Sequence, residues 1–141
     1  MSEPVVVQRR VEFSDTDMAG IVHFASFFRY MEAAEHEFLR RLGLSVVSYE
    51  GDGHISWPRV AASCDYAKPA RFGDELQVEV SIEHLGSRSV KYRFVVRRGD
   101  DQLAVGNMTS VCCRILPGEL PKSISIPEDI RALLAGTMPE A

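Results

Sequence analysis

The sequence predicts an α+β fold in which a five-stranded antiparallel sheet packs against one long helix. Between residues 24 and 42, apolar side chains recur at steps of three and four residues, which is the period of an amphipathic helix. In other segments apolar and polar residues alternate one by one, as in strands with one buried face. Tight turns containing glycine separate most of those segments, and such turns join antiparallel neighbours because parallel strands need a long crossover.

The first predicted elements are a strand at residues 5–13, a polar loop at 14–23 and the helix from about Phe24 to Leu42. Gly43 stands where a helix stop is expected. The apolar stripe of the helix is rich in aromatic residues, so we expect it to be buried in a concave sheet. The stripe consists of Phe24, Phe27, Phe28, Met31, Ala34, Phe38 and Leu42.

The rest of the chain supplies the remaining strands. Residues 44–58 are predicted to be irregular because glycine and proline punctuate them. The predicted strands are 59–67, 75–83, 90–97 and 102–115, with a turn at 69–74 and a short helix over 128–136. Neither face of the last strand is strongly polar, so we expect the sheet to be partly covered on both sides, as in an oligomer. The 141 residues correspond to one domain, residues 1–141.

Composition excludes several classes of protein. The formal net charge is −4 and no basic patch dominates, which argues against nucleic-acid binding. The three cysteines are odd in number and form no CxxC, so we expect reduced thiols and a cytoplasmic location. No apolar run approaches the ~20 residues needed to cross a bilayer, so we expect no membrane insertion.

Cofactor and nucleophile motifs are missing from the sequence. His36, His54 and His84 are scattered, without the spacing of metal ligands. The chain lacks the glycine-rich phosphate loops, and it lacks the GxSxG motif of serine hydrolases of the α/β type. We therefore expect no metal site.

The segment with the most chemical information is residues 13–24, FSDTDMAGIVHF. Asp15 and Asp17 precede a glycine and the start of the helix. A helix N-terminus presents unpaired N–H groups, which can bind a carbonyl oxygen as it becomes an oxyanion. A carboxylate beside it can act as a nucleophile or as a general base on water. On spacing alone, a role as a helix cap explains the two acids better.

The same segment resembles the signature of the 4-hydroxybenzoyl-CoA thioesterase family. The similarity lies in the run DTDMAGIV, the two ring-bearing residues after it and the aromatic helix. It continues in DYAKPARFGDEL, LGSRSV and LPKSI, and covers roughly residues 7–127. The resemblance implies a hot-dog fold, in which a curved antiparallel sheet wraps around a helix. It also implies acyl-CoA hydrolysis without a cofactor, by a homodimer whose sheets join and which pairs again into a homotetramer.

The resemblance assigns roles to residues near the helix start. Asp17 matches the catalytic aspartate of the family, and the backbone N–H of Phe24 matches its carbonyl-polarising donor. Asp15 is expected to be structural. Some relatives carry histidine at the second ring-bearing position, whereas here the order is His23 then Phe24. His23 therefore has either a catalytic role or ordinary loop packing. Met18 either lines the acyl pocket or fills a gap, and Gly20 joins it among the expected substrate-binding residues.

More distant candidates are expected to bind the nucleotide of CoA. Arg88 suits a phosphate, and Ser87 beside it can donate a hydrogen bond. The alternative is that both occupy a solvated hairpin tip. Arg59 and Lys91 are weaker candidates of the same kind. Glu35 lies on the helix, where some hot-dog thioesterases place their catalytic acid, but with Asp17 present we expect a buried or interfacial structural role.

Two routes of hydrolysis stay open at this point. Asp17 either attacks the thioester to form an anhydride or activates water directly. Two rival functions use the same fold: a non-catalytic acyl-CoA-binding protein, and a hot-dog dehydratase, which needs a histidine paired with an acid. The acyl group is not determined, since short aliphatic, hydroxybenzoyl and naphthoyl thioesters all remain plausible.

Overall fold

The computed structural model describes residues 4–139. Two helices and nine strands follow one another along that part of the chain. In order they are β1 Val5–Arg10, α1 Ser26–Arg41, β2 Val47–Glu50, β3 Gly53–Ser56, β4 Arg59–Tyr66, β5 Glu75–Leu85, β6 Ser89–Arg98, β7 Asp101–Val111, β8 Cys113–Ile115, β9 Lys122–Ser123 and α2 Glu128–Ala135. A single 3-10 turn, Phe13–Asp15, lies between β1 and α1.

Five strands form the main sheet in the order β1-β5-β6-β7-β4, and every neighbouring pair is antiparallel. The alternation in the sequence describes its buried face correctly. In β5, Leu76, Val78, Val80 and Ile82 are all buried, and their neighbours in sequence are more exposed. The same holds along most of β6. The predicted α+β architecture with a five-stranded antiparallel sheet is confirmed.

Helix α1 packs across this sheet. It begins at Ser26, two residues later than expected, and Gly43 ends it with a φ of 78°. Met31 packs directly over Gly106 of β7, because a Cβ built on that glycine would clash with the Met31 Sδ atom. A glycine at that position therefore allows the helix to lie deep in the concave face. Phe24, predicted to be part of the buried stripe, precedes the helix and is 64% exposed.

A second, four-stranded sheet has the order β2-β3-β8-β9. The prediction that residues 44–58 are irregular is therefore wrong, since β2 and β3 form an antiparallel hairpin there. The predicted strand 102–115 is also divided. It ends as β7 at Val111 and resumes as β8 at Cys113, which pairs with β3 rather than with the main sheet. Tertiary pairing decides both features, since these short strands have little alternation of their own.

Strand β4 forms one edge of the main sheet and pairs only with β7. The predicted turn at 69–74 was expected to join neighbouring strands, but β4 and β5 are separated by β6 and β7. The connection therefore crosses the end of the sheet. Seven of the eight residues of β4 are exposed, including Val60 at 64%. Most of the edge strand is thus left exposed by the described part of the chain.

Candidate active site

The loop between β1 and α1 is anchored by the first acid of the pair. Asp15 is buried, and its carboxylate accepts hydrogen bonds from the Glu12 N–H at 2.9 Å and the Tyr30 hydroxyl at 3.0 Å. Its backbone carbonyl accepts the His23 N–H at 2.8 Å and the Ser26 hydroxyl at 3.0 Å. Asp15 therefore ties the two ends of the loop to α1 through its Oδ2 atom and its backbone carbonyl.

Asp17 is held differently, at the start of a tight turn. Its carbonyl accepts the Gly20 N–H at 3.0 Å, and its N–H donates to the Ile21 carbonyl at 2.9 Å. The Oδ1 atom accepts the Ala19 N–H at 2.9 Å, the arrangement of an Asx turn. Gly20 has a φ of 80°, which favours glycine because it has no Cβ. Among residues 4–139 the Oδ2 atom has no hydrogen-bond partner, and no cation pairs with this carboxylate. One oxygen of Asp17 is thus positioned by the loop, while the other has no partner among the described residues.

Asp17 stands between two clefts. The first has a volume of about 400 Å³, and its walls are largely apolar. Its lining residues are Asp17, Ile21, Val22, Phe24, Phe27, Tyr66, Ala67, Lys68 and Pro69. The second, of about 560 Å³, is lined by Phe13, Ser14, Thr16, Asp17, Met18, Gly20 and Phe72. Asp17 is therefore accessible from both clefts.

Phe24 shares the first cleft with Asp17 and lies at the N-terminal end of α1. Its backbone N–H has no hydrogen-bond partner within residues 4–139, whereas its carbonyl accepts the Tyr66 hydroxyl at 2.9 Å. This N–H, expected from sequence to be a donor to substrate, has no competing partner among the described residues. An unpaired donor at a helix start, in the same cleft as a carboxylate, can stabilise negative charge on a carbonyl oxygen.

The other expected residues near the loop have different surroundings. His23 is exposed and lines neither cleft. Its ring stacks on the Phe24 ring with centroids 4.6 Å apart, and its Nδ1 atom accepts the Ala25 N–H at 3.1 Å. The Met18 side chain is fully exposed on the wall of the second cleft. Phe13, the last residue of the predicted first strand, instead belongs to the 3-10 turn and is 77% exposed. Its ring lies edge-on to Phe72 at 6.2 Å.

Ser87 and Arg88 lie at the β5–β6 hairpin and line neither cleft of the described chain. The Arg88 guanidinium donates to the carbonyl and hydroxyl oxygens of Ser123 at 3.0 and 3.1 Å. The Ser87 carbonyl accepts the Ile126 N–H at 3.0 Å. This hairpin is thus attached to the C-terminal segment, and a single chain does not bring it to Asp17. Lys91 pairs with Glu83 at 2.9 Å on the outer face of the sheet.

Glu35 occupies the interior of the chain, away from both clefts. It is 1% exposed and forms an ion pair with Arg59 of β4. Burial raises the pKa of the Glu35 carboxyl, and the positive charge of Arg59 partly opposes that effect. Its position fits the buried structural role expected for it.

Several cleft residues were not among the candidates from sequence. They are Tyr66, the last residue of β4, and Lys68, Pro69 and Phe72 in the connection that follows it. All four belong to the DYAKPARFGDEL segment, whose similarity to the family was the sequence feature that could have pointed to them as cleft residues. Within the described residues no group of three or more His, Cys, Asp or Glu is arranged to hold a metal ion. None of the described helices is long and apolar enough to cross a bilayer.

Comparison with known proteins identifies the family. Residues 19–105 match the model of the thioesterase superfamily. A putative esterase of Aquifex aeolicus is 31% identical over 131 residues, which cover 93% of this chain and 98% of that protein. The 4-hydroxybenzoyl-CoA thioesterase of Pseudomonas sp. (strain CBS-3) is 29% identical over 138 residues, covering 92% of this chain and 96% of that protein.

A solved structure agrees with these relatives. The 1,4-dihydroxy-2-naphthoyl-CoA thioesterase from Synechocystis superposes with a TM-score of 0.80 at 26% identity, over 94% of this chain and 96% of that one. The expected resemblance and the hot-dog fold are both confirmed. The chain therefore belongs to the thioesterase superfamily, as a thioester hydrolase with the hot-dog fold.

Proposed function

We propose that the enzyme hydrolyses an acyl-CoA thioester to the free acid and CoA, with Asp17 as nucleophile or general base. The observation that carries this proposal is the shared cleft of Asp17 and the unpaired Phe24 N–H. The printed names of the relatives support CoA as the thiol.

The geometry supports a specific reaction sequence. The thioester carbonyl oxygen accepts the Phe24 N–H, and the positive end of α1 stabilises the charge that develops on it. In one route a carboxylate oxygen of Asp17 bonds to the carbonyl carbon and the C–S bond breaks. Water then cleaves the resulting anhydride, which restores Asp17, and the thiolate of CoA takes up a proton. In the other route Asp17 takes a proton from water as that water attacks the same carbon.

Binding of the rest of the substrate requires more than one chain. We propose that Ser87 and Arg88 bind the nucleotide of CoA, contributed to the cleft by another copy of the chain. Met18 and Gly20 border the second cleft and would contact the substrate there. The exposed edge strand β4 ends at Tyr66, in the wall of the first cleft. Pairing of two β4 edges would cover this strand and complete the clefts, so we propose a homodimer, associated further into a homotetramer.

The proposed enzyme acts in the cytoplasm, with neither nucleic acid nor an inserted membrane segment as partner. Cys64, Cys112 and Cys113 are free thiols, which suits a reducing compartment. The dehydratase alternative requires a histidine facing the reactive acid. His23 lines neither cleft, and its Nδ1 atom accepts the Ala25 N–H, so this geometry favours hydrolysis.

The decisive experiment measures release of free thiol from a panel of aliphatic, hydroxybenzoyl and naphthoyl CoA esters. We expect turnover by the wild-type enzyme, and a loss of at least about 10³-fold in kcat for Asp17→Asn, because the amide neither attacks nor takes a proton. Asp52→Asn, in the exposed β2–β3 turn, is the matched control and should keep full activity. An Asp17→Asn enzyme with near-normal kcat would refute the assignment. Incorporation of oxygen-18 from water into Asp17 during a single turnover would select the anhydride route.

A further inference from the structure

We propose that Tyr66 and His23 are positioning residues that together hold the Phe24–Ala25 peptide group, and thereby keep the Phe24 N–H directed toward the substrate carbonyl. The inference rests on the proposed function of Asp17 and Phe24. It assigns to the Tyr66 hydroxyl, which the sequence analysis did not single out, a role in the reaction through the backbone.

The two polar atoms of that peptide group are each held by a side chain. The Phe24 carbonyl accepts the Tyr66 hydroxyl at 2.9 Å, and the Ala25 N–H donates to His23 Nδ1 at 3.1 Å. The two supports differ in origin. His23 belongs to the same turn, whereas Tyr66 comes from β4, 42 positions further along the chain. The peptide is therefore fixed both to its own loop and to the edge of the main sheet.

The preceding residues use their backbone groups in the same way. The His23 N–H donates to the Asp15 carbonyl at 2.8 Å, and the His23 carbonyl accepts the Ser26 N–H at 2.8 Å. Within residues 4–139 the Phe24 N–H is the member of this turn that lacks a partner. Because the groups on both sides of it are fixed, its direction is set before substrate binds. Such preorganisation is what makes a backbone donor effective at a developing oxyanion.

Tyr66 is itself rigidly placed. Its ring packs edge-on against Phe27, with centroids 5.2 Å apart. The next two residues, Ala67 and Lys68, both donate their N–H groups to the Leu103 carbonyl, at 2.8 and 3.1 Å. Burial, followed by the nearby Cys64 thiol, raises the pKa of Tyr66 to about 12. The hydroxyl therefore stays protonated, and remains a donor, throughout the neutral pH range.

The His23 ring is held in place for accepting the Ala25 N–H because it stacks on the Phe24 ring, with centroids 4.6 Å apart. Its Nδ1 atom accepts a hydrogen bond only while that nitrogen carries no proton. An asparagine can replace this function, because its side-chain oxygen accepts the N–H two residues further on in an Asx turn. The arrangement thus predicts which substitutions at position 23 are tolerated.

The first test is Tyr66→Phe, which removes one hydroxyl and leaves the ring in contact with Phe27. We expect kcat to fall roughly tenfold, since loosening an oxyanion donor costs part of the 10²–10³-fold effect of removing one. KM should change by less than about twofold, and the thermal unfolding midpoint should not move. Tyr49→Phe, on an 82% exposed tyrosine of β2, is the matched control and should match the wild-type enzyme. An unchanged kcat, or a change confined to KM, would overturn a positioning role for Tyr66.

The second test combines the two supports. We expect His23→Ala to lower kcat by a similar factor and His23→Asn to restore most of it. The Tyr66→Phe/His23→Ala enzyme should lose clearly less than the product of the two single losses, because both changes release the same peptide group. A double variant whose loss equals that product, or an Asn enzyme no better than the Ala enzyme, would contradict the shared support. The proposed function fails separately, if Asp17→Asn keeps its activity or the wild-type enzyme cleaves no thioester.

Discussion

The Glu35–Arg59 ion pair joins helix α1 to the edge strand β4, and Arg59→Met tests what it contributes. The side chain of Glu35 is 2% exposed and that of Arg59 is 28% exposed. Two further titratable groups lie nearby, Glu32 at 3.5 Å from Arg59 and His36 at 3.9 Å from Glu35. Removal of the guanidinium would leave a carboxylate in the interior, opposed by the neighbouring charge of Glu32.

The expected magnitude follows from the burial of the two partners. Loss of one member of a buried ion pair costs about 3–5 kcal/mol. We take about 3 kcal/mol, because water reaches part of the Arg59 side chain. At about 2.1 cal/mol/K of unfolding entropy per residue, a chain of 141 residues unfolds with an entropy of about 0.3 kcal/mol/K. The melting temperature should therefore fall by about 10 °C at neutral pH.

The loss should depend on pH with a defined sign. Burial places the pKa of Glu35 in the folded chain above its unfolded value, and Arg59 opposes that rise. Between those two pKa values the folded state holds a proton that the unfolded state has lost, so stability falls as pH rises through that window. Arg59→Met raises the folded pKa further and widens the window. The variant should thus lose more stability, relative to the wild-type enzyme, at pH 7.5 than at pH 5.

Thermal unfolding measures the fall in melting temperature, and urea unfolding at pH 5 and pH 7.5 measures the pH dependence of the stability loss. Both are made at fixed protein concentration and followed by the fluorescence of the single tryptophan. Glu35→Gln/Arg59→Met should recover most of the loss at pH 7.5, because no charge remains buried. Arg97→Met removes a partially exposed pair, with Glu79 at 3.1 Å, and should cost at most about 1 kcal/mol. Equal destabilisation by Arg59→Met at both pH values, or a double variant no more stable than the single one, would refute this account of the pair.

Two further substitutions test packing and assembly. Val60→Lys places a charge on the exposed β4 edge, which is a common means of blocking strand pairing. Sedimentation should show a smaller species for this variant than for the wild type. Leu120→Lys, at another exposed apolar residue, is the control and should not change the assembly. Gly106→Ala adds a methyl group where the Met31 thioether and the Ser63 carbonyl oxygen leave no room, so its neighbours must shift, and the free energy of unfolding should fall by about 2 kcal/mol. An unchanged urea midpoint for Gly106→Ala would contradict this expectation, because it would show that α1 can shift to accommodate the methyl group.

The main sheet could be predicted because, within each of its main strands, apolar and polar residues alternate. Leu76 and Val78 alternate with polar neighbours, and a strand turns successive side chains to opposite faces, so the local sequence predicts which face is buried.

The strands of the second sheet show no such alternation. Strand β3 consists of Gly53–Ser56 and finds its partner β8 only at residues 113–115, so nothing within four residues of sequence indicates that pairing.

The candidate site divides in the same way. Asp17 and Phe24 could be proposed because they lie seven positions apart in one recognisable segment, with the roles supplied by resemblance to a family. Tyr66 was missed because its hydroxyl reaches Phe24 across the fold, and a tyrosine at the end of an exposed strand has no local sign of that contact. Phe24 was wrongly included in the buried stripe, since its spacing continues the helix period although the helix begins at Ser26.

The sequence by itself determined the class of architecture, the main strands and the acid beside a helix start, because periodicity and a compact motif are properties of neighbouring residues. The tertiary structure alone decided the edge position of β4, the second sheet and the contacts that fix the Phe24–Ala25 peptide. Those features depend on atoms that are distant in sequence and become neighbours only when the sheet has closed around α1.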